Sequence, residues 1–215
     1  MRIGLAPGMS FTLFCGRAVV LDQLRDRYFA LSPRLSAALG DIGAGASCDP
    51  NAIDRLRNLG VLDDADRPIE AVRHQAAHAS ALEVRKEASP RDCSVASVSF
   101  AVLRARLESR PGRLAAVLHA RQRRICAKGA RADPVKAASM AGAFDAARAW
   151  LPLPRVCLTD SLALSAILIK AGVSHHLLFG VRLDPFYAHA WVEADGVVLS
   201  DCLDTIAGLN PILVA

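Results

Sequence analysis

The pattern of apolar and polar positions divides the chain into three segments, and the first predicts short strands followed by short helices. Apolar runs at Phe11–Cys15, Ala18–Leu21 and Arg27–Leu31 are separated by turn and charged residues, as in antiparallel strands. Ser32-Pro33 and Asp49-Pro50 each place a capping side chain before a proline, which is typical of helix starts. This order of elements predicts a winged-helix-like module.

The middle segment, residues 81–150, predicts helices alone. Val95–Glu108 and Leu114–Lys128 are helical in pattern, and Pro111-Gly112 separates them. Asp133-Pro134 opens a third helix that runs to the end of the segment.

The last segment, residues 151–215, predicts a helix packed on an antiparallel sheet. The helix covers Leu158–Ala171, and Gly172 supplies its C-terminal stop signal. Three strands are predicted after it, at His176–Leu183, Ala188–Glu193 and Val197–Ser200. The whole chain is therefore expected to be α+β, with one domain over residues 1–80 and a second over residues 81–215.

Composition and charge narrow the class of protein. Apolar residues form 53% and charged residues 22% of the 215 positions, as in soluble globular proteins. The apolar run Leu162–Ile169 is far shorter than the ~20 residues that cross a bilayer. Pro7 and Arg17 interrupt the N-terminal apolar stretch, so no secretory signal is predicted and we expect a cytoplasmic protein without a membrane partner.

The net charge of +5 is concentrated in residues 86–150, which carry thirteen Lys or Arg against five Asp or Glu. Residues 1–85 are neutral and residues 151–215 are acidic, which argues against a nucleic-acid-binding protein. The Arg-rich run at residues 104–131 is compatible with a site for phosphate or an acidic partner surface, or with an ordinary solvated helical face.

The six cysteines predict neither a disulfide framework nor a zinc site, because they are widely scattered and no two form a CxxC pair. His74 and His78 have the spacing of a zinc-protease helix, but Gln75 replaces the glutamate that would act as general base. We expect free thiols, a solvated helix or linker around these histidines, and no metal or organic cofactor.

Cys157 is the strongest candidate nucleophile because it directly precedes a predicted helix. Backbone N–H groups at a helix N-terminus favour a thiolate and can form half of an oxyanion hole. His189 begins one predicted strand and Asp201 ends the next, which completes the Cys-His-Asp set of papain-type catalysis. The alternatives are a buried structural cysteine, a core histidine and an aspartate that ends a strand.

The register of the predicted hairpin determines whether the side chains of His189 and Asp201 can meet. With a three-residue loop, Ala194-Asp195-Gly196, Gly196 has a positive φ in a bulge and His189 lies opposite Asp201. A two-residue loop would place His189 opposite Cys202 and turn Asp201 to the other face. Apolar pairing of Trp191 with Leu199 favours the longer loop.

The motifs around these residues closely resemble the lasso-peptide biosynthesis B proteins, which are transglutaminase-like (papain-like) cysteine peptidases. The resemblance spans residues 140–215 and rests on Pro154-Arg155-Val156-Cys157-Leu158-Thr159-Asp160, Leu178-Phe179-Gly180-Val181-Arg182-Leu183, His189-Ala190-Trp191-Val192-Glu193 and Leu199-Ser200-Asp201. It implies a peptidase that removes the leader from a ribosomal lasso precursor. It also implies a partner, the ATP-dependent, asparagine-synthetase-like cyclase.

The first 80 residues resemble, more loosely, the PqqD-like recognition element of that family, in which the leader adds as a strand beside the third strand and packs on the third helix. If the leader binds this chain in the same way, the resemblance implies the following leader-binding residues: Arg27, Tyr28, Phe29, Ala30, Leu31, Leu56 and Leu59. The apolar members of this set are also compatible with a role in the core of the domain.

Two other functions remain open at this point. Acyltransferases use the same Cys, His and Asp side chains, so transfer to an amine is an alternative to hydrolysis. A non-catalytic winged-helix peptide-binding or regulatory protein is the alternative from another class.

Overall fold

A computed structural model describes residues 3–83 and 93–215, and the chain forms two compact units. The first contains Met1–Arg73 with Asn210–Leu213, and the second contains His74–Leu209 with Val214–Ala215. The units divide at Arg73, before the domain boundary expected at residue 80. No helix among the described residues combines the length and the apolar character that crossing a membrane requires.

The first unit contains two small antiparallel sheets and two helices. Its elements are β1 (Ile3–Leu5), β2 (Met9–Phe14), β3 (Arg17–Asp22), β4 (Arg27–Ala30), α1 (Pro33–Gly43), α2 (Pro50–Asn58) and β5 (Leu62–Asp64). β1 pairs with β5, and β2, β3 and β4 form a meander in that order. Ser32 and Asp49 accept hydrogen bonds from the first turns of the two helices, as their sequences predict.

The core of the first unit corrects part of the leader-binding set. Leu31 and Leu56 are almost fully buried in the same apolar cluster as Leu39 and Val61. Their side chains therefore stabilise the unit and offer no surface to a ligand. Leu56 also lies on α2, the second described helix of this unit, and not on a third helix.

The second unit has four long helices and a mixed sheet. Its elements are β6 (Ala79–Ser80), α3 (Val95–Glu108), α4 (Leu114–Ala127), α5 (Pro134–Arg148), α6 (Cys157–Ala171), β7 (His176–Arg182), β8 (Tyr187–Ala194), β9 (Val197–Val198) and α7 (Leu203–Ile206). The last strand, β10 (Asn210–Val214), is divided between the two units. The part of the second predicted domain at residues 84–92 lies outside the described residues.

Helix α6 occupies the centre of the second unit. Leu162 and Leu164 are fully buried although they point to nearly opposite sides of the helix, because α3, α5 and β8 all pack against it. β7, β8 and β9 follow one another as antiparallel neighbours, and β6 adds to β9 in parallel. The predicted helix on an antiparallel sheet is thus present, with one parallel strand at its edge.

The predicted hairpin register is wrong. β8 and β9 pair through Glu193 with Val198 and Ala194 with Val197, which leaves a two-residue loop. Asp195 and Gly196 both have positive φ, +53° and +74°, as a type I′ turn requires. The prediction gave more weight to apolar pairing than to this Asp-Gly turn signal, and it assumed that β9 continues to Ser200.

We expect Leu56→Ala to lower the free energy of unfolding of the first unit by about 2–5 kcal/mol, because it leaves a cavity in a packed core. Leu59→Ala is the matched control, since the Leu59 side chain is 40% exposed and its loss should cost less than about 1 kcal/mol. Denaturant titrations followed by circular dichroism measure both values. Equal losses in the two variants would contradict the assignment of Leu56 to the core.

Candidate active site

Cys157 is the first residue of α6, whereas the sequence analysis placed it directly before a helix that begins at Leu158. Val156 precedes it with extended backbone and provides no side-chain cap, so the first N–H groups of the helix remain available beside the half-buried thiol. The hydroxyl of Ser161, one turn further on, donates a hydrogen bond of 2.9 Å to the carbonyl of Ala190. This bond ties the start of α6 to β8, the strand that carries His189.

Arg148 fixes the loop that leads into Cys157. Its guanidinium is 1% exposed and donates to Asp160 Oδ1 in the first turn of α6 at 2.8 Å. It also donates to the carbonyl of Leu153 at 3.1 Å and to that of Pro154 at 2.9 Å. These bonds join the end of α5, the connecting loop and the helix start that presents the thiol.

His189 and Asp201 meet despite the changed register. His189 Nε2 lies 3.1 Å from Asp201 Oδ1, an ion-pair distance, although the ring N–H does not point straight at that oxygen. The ring nitrogen Nδ1 lies 3.3 Å from the hydroxyl of Tyr187. The imidazole therefore has the Asp201 carboxylate beside Nε2 and the Tyr187 hydroxyl beside Nδ1.

A loop, and not a strand ladder, delivers Asp201. β9 ends at Val198, although the Leu199 N–H still donates to the Val192 carbonyl at 2.8 Å. The Ser200 hydroxyl then accepts the hydrogen bond of the Val192 N–H at 3.0 Å and donates to Asp201 Oδ2 at 2.8 Å. Ser80 Oγ donates to the Asp201 carbonyl at 2.7 Å, so one serine holds the carboxylate and the other holds the backbone of Asp201.

The three predicted residues line one small cavity of about 180 Å³. Its remaining wall contains apolar residues from several elements and three charged side chains: Leu82, Ala141, Phe144, Leu199, Asp145, Arg155 and Asp160, together with Ser161 and Ser200. A reacting carbonyl in this cavity would lie beside both the thiol and the helix N-terminus.

The electrostatics of the site favour a thiolate–imidazolium pair. Burial by itself raises the pKa of the Cys157 thiol, but hydrogen bonds from His189 and from the Ala190 and Leu158 backbone lower that pKa below its ordinary value. Burial by itself lowers the pKa of His189, but Asp201 and Cys157 together raise it to about 9. Opposite shifts in neighbouring groups favour both charged forms near neutral pH.

Comparison with known proteins agrees with this geometry. The model of the transglutaminase-like superfamily matches residues 94–214, which include α3–α6, β7–β9 and all three site residues. The chain belongs to this superfamily. A stretch of 45 residues is 51% identical to the "Microcin J25-processing protein McjB" of Escherichia coli, covering 21% of this chain and 22% of the relative. No solved structure matches the chain.

The two sequence matches support the resemblance to lasso-peptide biosynthesis B proteins. The matched stretch spans about a fifth of the length of the curated relative. The family match covers the catalytic part of the second unit and leaves the first unit, with its predicted leader-binding residues, outside.

The sequence analysis did not predict a group of contacts behind His189, formed by Trp191, Glu193 and His74. Trp191 Nε1 donates to Glu193 Oε1 at 2.6 Å, and His74 Nε2 lies 2.6 Å from Glu193 Oε2. The Trp191 ring stacks beside that of His189, with centroids 6.2 Å apart. A Cβ added at Gly180 would lie 2.6 Å from the Trp191 ring, so glycine makes room for the indole.

The sequence pattern of β8 could have predicted that two of these residues lie on the same face as His189. His189, Trp191 and Glu193 alternate along a strand and must share a face. The contribution of His74 could not be found, because 119 residues separate it from Glu193. Of the two alternatives expected around His74 and His78, a solvated helix or a linker, the helix is wrong, because this stretch is not helical. His74 is not simply solvated either, because it is bound to a buried carboxylate. No group of residues in the described ranges could hold a metal ion.

The other residues of the predicted leader-binding set lie on the first unit. Arg27–Ala30 form β4, which is the edge of the three-stranded sheet. The Arg27 guanidinium lies 5.1 Å above the Phe29 ring and also contacts the buried Asp22 carboxylate. Leu59 follows α2 and is partly exposed.

We expect Asp201→Asn to move the titrations of two cysteines in opposite directions. Removing the carboxylate charge lowers the pKa of His189, so Cys157 loses part of its imidazolium partner and its thiol pKa rises. Burial and nearby carboxylates, among them Asp201, raise the pKa of the Cys202 thiol, so the same variant lowers it. Iodoacetamide alkylation at a series of pH values, with mass spectrometry of the two peptides, measures both shifts.

The wild-type protein provides a further check in the same experiment. Cys157 should be alkylated at lower pH than Cys202, because its thiolate persists below the ordinary thiol pKa. A Cys157 profile that is unaffected by Asp201→Asn would contradict the coupling of the three residues.

Proposed function

We propose that this protein is a cysteine peptidase that removes the leader from a ribosomally made lasso-peptide precursor. The observation that carries the proposal is the meeting of Cys157, His189 and Asp201 in one cavity at the start of α6. The similarity to a microcin-processing protein supports a peptide precursor as the substrate.

The proposed reaction begins with the Cys157 thiolate, which attacks the carbonyl carbon at the leader–core junction. The negative charge on the carbonyl oxygen is stabilised by N–H groups at the N-terminus of α6. The His189 imidazolium donates its proton to the leaving amine, and the leader remains bound to sulfur as a thioester. Neutral His189 then takes a proton from water, which attacks the thioester and releases the leader carboxylate.

Asp201 orients the imidazole throughout and stabilises its charged form. Its own position depends on the Ser200 and Ser80 hydroxyls. Trp191 and Glu193 restrict the ring from the side of the sheet. No step requires a metal or an organic cofactor.

Acyl transfer to an amine is the second candidate, and the transglutaminase-like family match favours it as an alternative. Both reactions pass through the same thioester, so the acceptor decides the outcome. Hydrolysis leaves a free carboxylate on the leader, whereas transfer leaves an amide. Mass spectrometry of the released leader distinguishes them.

Leader recognition is proposed for the outer edge of β4, through strand addition. The Leu31 N–H donates to the Ala18 carbonyl on β3, so alternation along the strand directs the N–H group of Ala30 away from β3. The opposite edge of the sheet has a partner already, since the Val72 N–H donates to the Phe11 carbonyl on β2. Arg27, Phe29 and Leu59 are the proposed side-chain contacts of this PqqD-like element.

The ATP-dependent lasso cyclase is the proposed partner that closes the ring on the amine freed by cleavage. This part of the proposal rests on the resemblance to lasso-peptide B proteins alone.

We expect Cys157→Ala to abolish cleavage of a precursor encoded beside this gene while leader binding is retained, since the thiol and the proposed recognition strand lie on different units. Cys15→Ser, Cys48→Ser, Cys93→Ala and Cys126→Ser are the controls and should each retain cleavage. Liquid chromatography with mass spectrometry follows the free core peptide. Persistent cleavage by Cys157→Ala would eliminate the mechanism.

We expect Ala30→Pro to weaken leader binding by at least about tenfold, because proline removes an outward N–H that a paired strand needs. Ala30→Val is the matched control, since it retains the N–H and suits a strand. Fluorescence anisotropy with a labelled leader peptide measures both affinities, and circular dichroism checks the fold. Equal binding by the two variants would rule out pairing along this edge.

A further inference from the structure

A groove of about 650 Å³ lies between α3, α4 and α6, and none of its lining residues belongs to the catalytic cavity. Its volume is within the usual range of ligand sites. Small and branched apolar side chains form its floor: Ala101, Ala116, Val117, Ala120, Ala166, Ile167 and Ile169. Neither the proposed reaction nor the proposed leader-binding strand uses this surface.

The rim of the groove is strongly cationic. Five basic residues line it, namely Arg104, Arg113, Arg121, Arg124 and Lys170, whereas Glu108 is the single acidic residue among its described lining. Arg113, Arg124 and Lys170 form no salt bridge with another described residue. The excess positive charge is complementary to an acidic ligand.

Arg121 is the basic residue that most needs a further partner. Its side chain is 9% exposed, and it shares the Glu108 carboxylate with Arg104. Its Nε–H has no hydrogen-bond partner within the described residues. One carboxylate therefore compensates two guanidinium groups, one of them buried, and the compensation is incomplete.

The length and surroundings of the groove indicate a helix and not a small amphiphile. Its lining runs along α3 from Ser97 to Glu108, which at 1.5 Å per residue is about 16 Å, or three helical turns. Phe100 lines the groove, and with Leu103 and Leu107 it forms an apolar stripe at positions i, i+3 and i+7 of α3. These side chains are 69%, 54% and 51% exposed. A ligand confined to the groove would leave this stripe uncovered.

We propose that this groove binds an acidic amphipathic helix of a partner protein. Its apolar face would pack on Phe100 and the floor of the groove, and carboxylates along both sides would pair with Arg113, Arg124 and Lys170. This is the helix-in-groove mode of recognition, with charge determining which helices are accepted. The inference is independent of the proposed peptidase activity.

The test uses a labelled synthetic helical peptide, with leucine at positions i, i+3, i+4 and i+7 and glutamate on either side. A second peptide carries lysine in place of each glutamate. Anisotropy titrations use the full chain with Cys157→Ala, so that neither peptide can be hydrolysed. We expect saturable binding of the glutamate peptide and no binding of the lysine peptide. The affinity for the glutamate peptide should fall as salt is added.

Two variants and one control locate the binding. Ala120→Trp fills the groove, and the double variant Arg113→Glu, Lys170→Glu reverses its rim; each should weaken binding at least tenfold. Arg123→Glu is the matched control, because Arg123 is an exposed arginine of α4 outside the groove, and it should have little effect. Circular dichroism checks that all three variants are folded.

Four results would overturn the proposal. They are the absence of saturable binding, equal binding of the lysine peptide, an equal loss in Arg123→Glu, and no loss in Ala120→Trp. Saturable binding of dodecanoate in isothermal titration calorimetry, without binding of the glutamate peptide, would instead identify a site for small anionic amphiphiles, and would also refute a helix as the occupant.

Discussion

The buried guanidinium of Arg148 underlies the geometry of the candidate active site. Removing an arginine from water is costly, and the cost is offset only when hydrogen bonds and a counter-charge surround it. Here Asp160 and the carbonyls of Leu153 and Pro154 supply them, and these groups belong to the helix start and to the loop before Cys157. The requirement to satisfy one charge therefore fixes where α6 begins, and with it the direction of the thiol and of the first free N–H groups.

The other half of the site is held by the sheet. The Ser161 bond to the Ala190 carbonyl joins α6 to β8, and β8 carries His189 between Tyr187 and Trp191 on one face. The imidazole is thus restricted by two rings along the strand and by Asp201 at one nitrogen. α6 contributes Cys157, β8 contributes His189 and the loop after β9 contributes Asp201. A polar contact joins α6 to β8, and another joins β8 to the loop.

Local signals in the sequence predicted the helices of the second unit and indicated the three residues that line the candidate site together. Caps, prolines and Gly172 fall where the helices of the second unit begin and end, because these signals act within one turn. The position of the Asp201 side chain was harder to predict. The sequence argument treated β9 as a long strand, whereas the strand ends at Val198 and the Ser200 hydroxyl replaces the next ladder bond.

Long-range contacts explain the remaining differences. Apolar character alone does not tell whether Leu56 faces a ligand or the core, and its burial depends on strands that are distant in sequence. The contact of His74 with Glu193 likewise depends on the complete fold. Such pairs have no local periodicity, so a single sequence contains no sign of them.

The position of β4 at the end of its sheet also affects how the protein behaves at high concentration. An edge that can add a peptide strand can add the same edge of another copy, and self-association would then compete with any strand-forming ligand. Two features limit this competition: β4 has four residues, and it begins with the charged Arg27. A longer or uncharged strand would favour edge-to-edge pairing between copies, so the short length and the charge of β4 both limit self-association.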